Sequence, residues 1–258
     1  MDTSARDLRV LVTAGAAGIG RAISRTFLDH GARVHICDVD TKALAAAKRD
    51  MPAVTQSVAD VSSTADVERL FADVKRELGG LDVLVNNAGI AGPTGLVEEL
   101  SIEDWDRCID IDLNGMFYCT RLAMPMIKRA GGGSIINLSS VAGRLGFARR
   151  TPYAAAKWAV VGFTKSLAIE AGPDKVRVNC IQPGNVEGER IERVIDAKAR
   201  ALGIANDEMR DRLLESVSLR SFVSAQDIAN MALFLATDAG KHVTAQALSV
   251  CGDIRYAV

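Results

Sequence analysis

The chain has 258 residues, 48% hydrophobic and 24% charged, with a formal net charge of −1. That length suits one large α/β domain, and a balanced charge argues against a nucleic-acid or membrane surface as partner. Five cysteines without a C-x-x-C pair and three histidines without ligand spacing argue against a disulfide framework and against a metal site. The opening MDTSARDLRV has no apolar leader core and no run reaches membrane-spanning length, so the expectation is a cytoplasmic protein with reduced thiols.

In chain order, residues 8–13 form a short apolar run that predicts a buried parallel strand. Gly15, Gly18 and Gly20 punctuate the next turn, and a helix from about Ile19 to His30 ends at Gly31. Glycines in such a turn let the backbone approach a pyrophosphate, whose charge the helix N-terminus favours. A second strand, RVHIC, ends at Asp38. A carboxylate there is placed to accept from ribose hydroxyls and to repel a 2′-phosphate. Val39 follows the acid, and Ala16 and Ala17 in the turn are not basic, so NAD is preferred over NADP. The alternative is that Asp38 caps the next helix, for which Asp40 and Thr41 are better placed.

Residues 53–58 predict a third strand closed by Asp60, and the next helix has Val67, Leu70, Phe71, Val74 and Leu78 on its apolar face. LDVLV, a fourth strand, runs into Asn86-Asn87-Ala88-Gly89. These amides either line a ligand crevice or bridge neighbouring strands. Ser101 and Asp104 open a helical region reaching about Arg129, with Trp105, Ile109, Leu113, Met116, Phe117 and Leu122 on its buried side. Asn114, among these apolar residues, needs partners and either braces backbone or positions a group at a site.

GSIINLSS predicts a fifth strand and VRVNCIQPG a sixth, ending at Pro183-Gly184. Residues 185–220 are charge-rich and helical in composition, as expected of a lid inserted beside a crevice or of solvated surface helices. Ser224 and Asp227 cap a further helix, and ALSVC supplies a seventh strand. The βαβα alternation, without repeat or linker, predicts a doubly wound parallel sheet with helices on both faces, in a single domain spanning 1–258.

Between the fifth and sixth strands lies SVAGRLGFARRTPYAAAK, with Ser140, then Tyr153, then Lys157 four residues after the tyrosine. Positions i and i+4 share a helix face, so Tyr153 and Lys157 project side by side. A phenol normally titrates near pH ~10, and a neighbouring ammonium favours its phenolate, as a proton acceptor for an alcohol requires.

Taken together, TAGAAGIG, Asp38, Asp60-Val61, NNAG, Asn114, Ser140, Tyr153-x-x-x-Lys157 and Pro183-Gly184 resemble the short-chain dehydrogenase/reductase family along essentially the whole chain. The resemblance implies a Rossmann-like seven-stranded sheet and interconversion of a secondary alcohol and a ketone. Tyr153 would be the general base, Ser140 would orient the substrate oxygen, and Lys157 would bind the nicotinamide ribose. Asn114 would hold a relay water. The dinucleotide would be met by Gly15, Ala17, Gly18, Ile19 and Gly20, by Asp38 and Val39, by Asp60 and Val61, by Asn87, Ala88 and Gly89, and by Pro183, Gly184 and Val186. The family's homotetramers would place the helices near 104–129 and 153–171 between copies. Two departures stand out. Ala14 occupies a position where glycine is usual, so the first turn would be arranged differently. Gly188 stands where relatives often carry a threonine that clamps the nicotinamide amide, a role that would pass to Glu187 or backbone. Arg150 and Arg190, with Glu187, flank the expected substrate position: inward arginines would favour an anionic substrate, outward ones would pair with Glu187, Glu189 and Glu192. An NADPH-dependent 3-oxoacyl reductase and a non-catalytic dinucleotide-binding module are the competing expectations.

Overall fold

The computed structural model describes residues 3–256, without the side chains of Arg190 and Ala201. Its strands are β1 (Arg9–Thr13), β2 (Arg33–Asp38), β3 (Thr55–Val58), β4 (Val83–Asn86), β5 (Gly133–Leu138), β6 (Val176–Pro183) and β7 (Ala247–Val250). All pair in parallel in the order β3-β2-β1-β4-β5-β6-β7. Because successive side chains point to opposite faces, each apolar strand feeds two cores at once. Val10 and Val12 pack with Ile23 and Phe27 of α1 (Gly18–Asp29), Leu44 and Ala47 of α2 (Thr41–Asp50), and a C-terminal helix at Ala225–Ala236. Leu11, between those valines, faces the other way, toward Val67, Leu70 and Val74 of α3 (Thr64–Leu78). That second layer is completed by α5 (Gly115–Arg129) and α6 (Thr151–Ala171), with α4 (Ile102–Ile109) set against α6.

The chain reverses its direction of strand addition between β1 and β4, and the crevice outside the carboxyl ends of such strands is where open α/β sheets take ligands. The glycine turn after β1 and the Asn-Asn-Ala-Gly segment after β4 both open there.

The region from Ser101 to Arg129 is not one regular helix. A π-helical turn, Asp110–Asn114, joins α4 to α5. One extra residue in the turn rotates α5 by about 100° relative to an unbroken α-helix, so the apolar stripe predicted across this region breaks up. Cys108, Met116, Cys119 and Ala123 are buried, whereas Trp105 and Phe117, expected inside, are exposed. Residues 185–220 hold α7 (Glu189–Leu202) and α8 (Asn206–Glu215), which pack Ile191, Ile195, Ala199, Met209 and Leu213 into a small core of their own. The C-terminal helix, α9, carries the expected capping box between Ser224 and Asp227.

Candidate active site

At the first turn, no side chain caps α1 and its opening residues include no acid. Its unpaired N–H groups are therefore left for an anion, and Gly18 at φ +52° takes a left-handed conformation with open space around it. Ala14 also lies at positive φ, +47°. The turn therefore keeps a left-handed residue before Gly15 and accepts the backbone strain, where the sequence implied a rearranged turn. Asn87 braces the same turn, donating to the carbonyls of Thr13 and Ala14 at 2.9 and 3.1 Å. Thr13 Oγ1 in turn accepts from the backbone of Asn87 and Ala88. Asn86 bridges strands, donating to Asn137 and to Thr120.

At the end of β2, Asp38 does not cap α2: Asp40 does, accepting from Lys42 and Ala43 at 2.8 and 3.1 Å. Asp38 instead faces the glycine turn, with Oδ2 3.4 Å from the Ala16 nitrogen. Val39 beside it is exposed. Asp60 is fixed by Ser62, and Val61 is buried against Gly115. Gly184 packs on Cys251 beside buried Pro183, and Val186 bridges to Val223. Gly188 has φ +124° and ψ −178°, a region essentially closed to other residues, so backbone geometry explains the absence of threonine there.

Along α6 the buried residues Ala156, Val160, Thr164 and Ala168 recur every fourth position, and Lys157 lies beside that stripe. Its Nζ sits 5.5 Å from the centre of the Tyr153 ring and donates to the Leu138 carbonyl at the end of β5 at 3.2 Å. Ser140 is almost buried, its hydroxyl accepting from the Ala142 nitrogen. The neighbouring Ser139 donates to the carbonyl of Lys157 at 2.8 Å, tying the loop that carries Ser140 to the helix that carries the tyrosine and lysine. The Arg150 guanidinium lies 4.9 Å from the Tyr153 ring centre and donates to the Ala91 carbonyl. Glu187 is exposed, and the side chain of Arg190 lies outside the described residues.

The amide expected behind the lysine is elsewhere. Asn114 spends its Nδ2 on Asp110, one turn back on an exposed part of the helix, at 2.7 Å. What meets Lys157 is the carboxylate of Asp112, fully buried, with Oδ1 2.8 Å from Nζ. Its Oδ2 accepts from the Ile90 nitrogen at 3.2 Å and from the Cys108 thiol at 3.7 Å. Burial first, and then the nearby Asp112 charge, push the Cys108 thiol up to about 11. A Cβ added at Gly89 would lie 2.6 Å from Asp112 Oδ1, so the Asn-Asn-Ala-Gly segment is closed onto the acid–amine pair by a residue that must be small. Spacing alone does not single out Asp112, because the three polar residues of Asp-Ile-Asp-Leu-Asn cannot be ranked for burial until the π turn sets their phase.

A sequence profile described as enoyl-(acyl carrier protein) reductase matches residues 14–252. A 3-oxoacyl-(acyl-carrier-protein) reductase of Chlamydia muridarum is 36% identical over 250 residues, covering 95% of this chain and 96% of the relative. The structure of an actinorhodin polyketide ketoreductase with NADPH superposes with a TM-score of 0.91 at 32% identity, covering 98% of each chain. An NAD+-bound xylitol dehydrogenase does so with a TM-score of 0.91 at 26% identity, covering 96% of this chain and 99% of that one. Fold, motif order and these relatives converge on one conclusion: the chain belongs to the short-chain dehydrogenase/reductase family and is an oxidoreductase of alcohol and keto groups.

Proposed function

We propose that the chain is an NAD-dependent dehydrogenase that interconverts a secondary alcohol and a ketone, with Tyr153 as its general acid/base. The observation that carries this reading is the placement of the Lys157 ammonium against the Tyr153 ring, within a crevice whose glycine turn and uncapped helix are suited to a dinucleotide. When bound, the dinucleotide supplies the hydride acceptor or donor. The residues of the chain orient, bind and move protons around it. Gly15, Ala17, Gly18, Ile19 and Gly20 would cradle its pyrophosphate, Asp60 and Val61 its adenine, and Asn87, Ala88, Gly89, Pro183, Gly184 and Val186 would wall its nicotinamide half. Tyr153 takes the hydroxyl proton of the alcohol, or returns it to the developing alkoxide in reduction. Ser140 donates toward the same oxygen, where charge develops and where a hydrogen bond lowers the barrier. The relay position expected of Asn114 passes to Asp112, the side chain in contact with Lys157.

Asp38 supports NAD over NADP: it faces the turn where a 2′-phosphate would sit, and no basic residue replaces it. Relatives bind either cofactor, as the NADPH-bound ketoreductase and the NAD+-bound dehydrogenase illustrate. The Chlamydia relative, a 3-oxoacyl-(acyl-carrier-protein) reductase, supports reduction of a 3-oxoacyl substrate as a second reading, and the NADPH-bound ketoreductase supports NADPH as its cofactor. Arg150 at the tyrosine, joined by half-buried Lys198 of α7, whose titration burial and the Arg150 charge lower, favours a substrate with an anionic group under either reading. In that reading the α7–α8 pair is the lid over the substrate.

Exposed Phe117 on α5 and Trp158 and Ile169 on α6 support assembly through these helices into a homotetramer, which sedimentation measures directly. A reducing cytoplasm suits the five free, buried cysteines. Among the described residues, no helix is long and apolar enough to cross a membrane.

The test compares NAD with NADP over neutral and anionic secondary alcohols, and measures Tyr153→Phe beside the unmodified chain. Tyr153→Phe should bind NADH yet lose nearly all turnover. Retained turnover removes the assigned base, and faster reaction with NADP removes the cofactor assignment.

A further inference from the structure

We infer that Arg144 is a positioning residue for Ser140, strapping the C-terminal segment to the loop that carries the serine and coupling that loop to the exit of α8. The inference rests on Ser140 serving the reaction proposed above. Ser140 opens a short 3₁₀ turn, Val141–Gly143, and its hydroxyl accepts from the Ala142 nitrogen at 3.1 Å. With that lone pair engaged, the hydroxyl proton is left for the substrate oxygen. Arg144 ends the same turn, its nitrogen donating to the Val141 carbonyl at 3.1 Å. One tight turn therefore sets both the direction of the serine and the place of the arginine.

From that turn the guanidinium crosses to a segment 110 residues away in sequence, where Nη2 donates to the Ile254 carbonyl at 2.8 Å. The same nitrogen lies 3.6 Å from the Cys251 sulfur, while the Asp253 carboxylate, at 3.9 Å, is exposed and adds little. Nε is buried without an acceptor, so the side chain is held at the expense of one unmade hydrogen bond. Such a cost marks a residue placed for geometry more than for stability. The segment it holds is stitched in turn to the chain leaving α8. Ile254 bridges to Val217, and the Arg255 nitrogen donates to the Ser216 carbonyl at 2.9 Å. Ser218 donates to Asp253 twice, from its nitrogen to the carbonyl at 3.0 Å and from its hydroxyl to the carboxylate at 2.6 Å. Val141, Val217, Cys251 and Ile254 bury together where the three segments meet. Cys251 also lies against Gly184, where an added Cβ would come within 2.7 Å of it. The C-terminal segment thus touches the serine loop, the base of the α7–α8 pair and the wall expected for the nicotinamide, and Arg144 supplies its hydrogen bond to the serine loop. Arg144→Met keeps the aliphatic stem and removes that bond. The apolar contacts that remain are not directional, so Ser140 is no longer held in one orientation.

The experiment places Arg144→Met in the full chain in two backgrounds, with Ser140 present and with Ser140→Ala, and uses the faster of cyclohexanol and 3-hydroxybutyrate as the alcohol. With Ser140 present, kcat should fall about 10-fold while NADH affinity, read by fluorescence, stays within about two-fold. Arg144→Lys, which keeps a donor for the Ile254 carbonyl, should recover most of the rate. In the Ser140→Ala background the substitution should cost nothing further, because the group it misdirects is already gone. Hydrogen exchange supplies a readout independent of turnover: amides of residues 141–147 and of 216–219 should exchange faster together in Arg144→Met. An arginine that serves stability alone would lower activity by the same factor in both backgrounds. That result overturns the inference, as does an unchanged kcat, or faster exchange confined to one of the two segments. If Arg144→Met does not fold, Arg144→Gln shortens the reach to Ile254 with less loss of polarity and is read the same way. Paired exchange in a chain that oxidises neither alcohol with NAD or NADP supports the strap and counts against the dehydrogenase reading, whereas turnover without the paired exchange refutes the inference alone.

Discussion

Lys157→Met is expected to cost stability as well as turnover. At the observed 2.8 Å, and with an effective dielectric constant of ~20, the attraction between Lys157 and Asp112 is about 6 kcal/mol. Desolvating the two charges consumes several kcal/mol per ion, so the pair as a whole adds little to the free energy of folding. Removing only the lysine is different, because it leaves Asp112 fully buried with its counter-charge gone. Breaking a buried pair in this way typically costs about 3–5 kcal/mol. Urea unfolding at constant protein concentration, followed by tryptophan fluorescence, measures the loss. The double variant Lys157→Met/Asp112→Asn should recover much of it, giving a coupling energy of about 2 kcal/mol or more. A cost under about 1 kcal/mol, or simple additivity in the cycle, would refute the claim that the two side chains form one buried electrostatic unit.

His35 is fully buried, with its ring nitrogens on the hydroxyls of Thr55 and Ser57, and burial lowers its pKa from 6.5 to about 4. The unfolded chain therefore takes up the proton first, and stability that is complete above the unfolded value is lost as pH falls from 6.5 toward 4. Between pH ~7 and ~5 the loss should be about 2 kcal/mol, and His35→Gln should flatten it; an unchanged slope in the variant would clear His35 of the effect. Ala14→Gly should relieve the left-handed strain at φ +47° and raise stability by about 0.5–1 kcal/mol, after allowing for the greater freedom of glycine in the unfolded chain. A lower urea midpoint for Ala14→Gly would mean that the alanine methyl makes contacts worth more than the strain.

The architecture is legible in the sequence because its signals are local and repeated. Each short apolar run forms a strand with Leu11-type and Val10-type residues on opposite faces, and glycines or caps such as Asp40 and Ser224 mark the helix ends. The Tyr153–Lys157 pair is legible for the same reason, since a spacing of four on a helix sets two side chains together without help from the rest of the fold. The misplaced residues share the opposite property. Trp105 and Phe117 obey helical periodicity yet lie exposed, because periodicity identifies an apolar face without saying what covers it. Alanine ordinarily avoids positive φ, but the backbone of Ala14 is set by β1 ahead of it, the glycine turn behind it and the Asn87 amide across the crevice.

Asp112 shows why a reading of the site from spacing stops short of its chemistry. The contact with Lys157 joins residues far apart in sequence, and its existence depends on a helical turn one residue wider than the regular one. With an unbroken α-helix the burial pattern of Asp-Ile-Asp-Leu-Asn would differ, and a charged side chain would gain nothing by turning inward. The π turn and the buried acid thus account for each other: the turn brings position 112 under α6, and the ammonium there makes a carboxylate tolerable in an otherwise apolar interior. If that mutual dependence is right, deleting Ile111 to restore α-helical spacing should carry the acid away from the lysine and reproduce the instability of Lys157→Met. A deletion variant that keeps full stability would show that the wider turn is incidental to the pair.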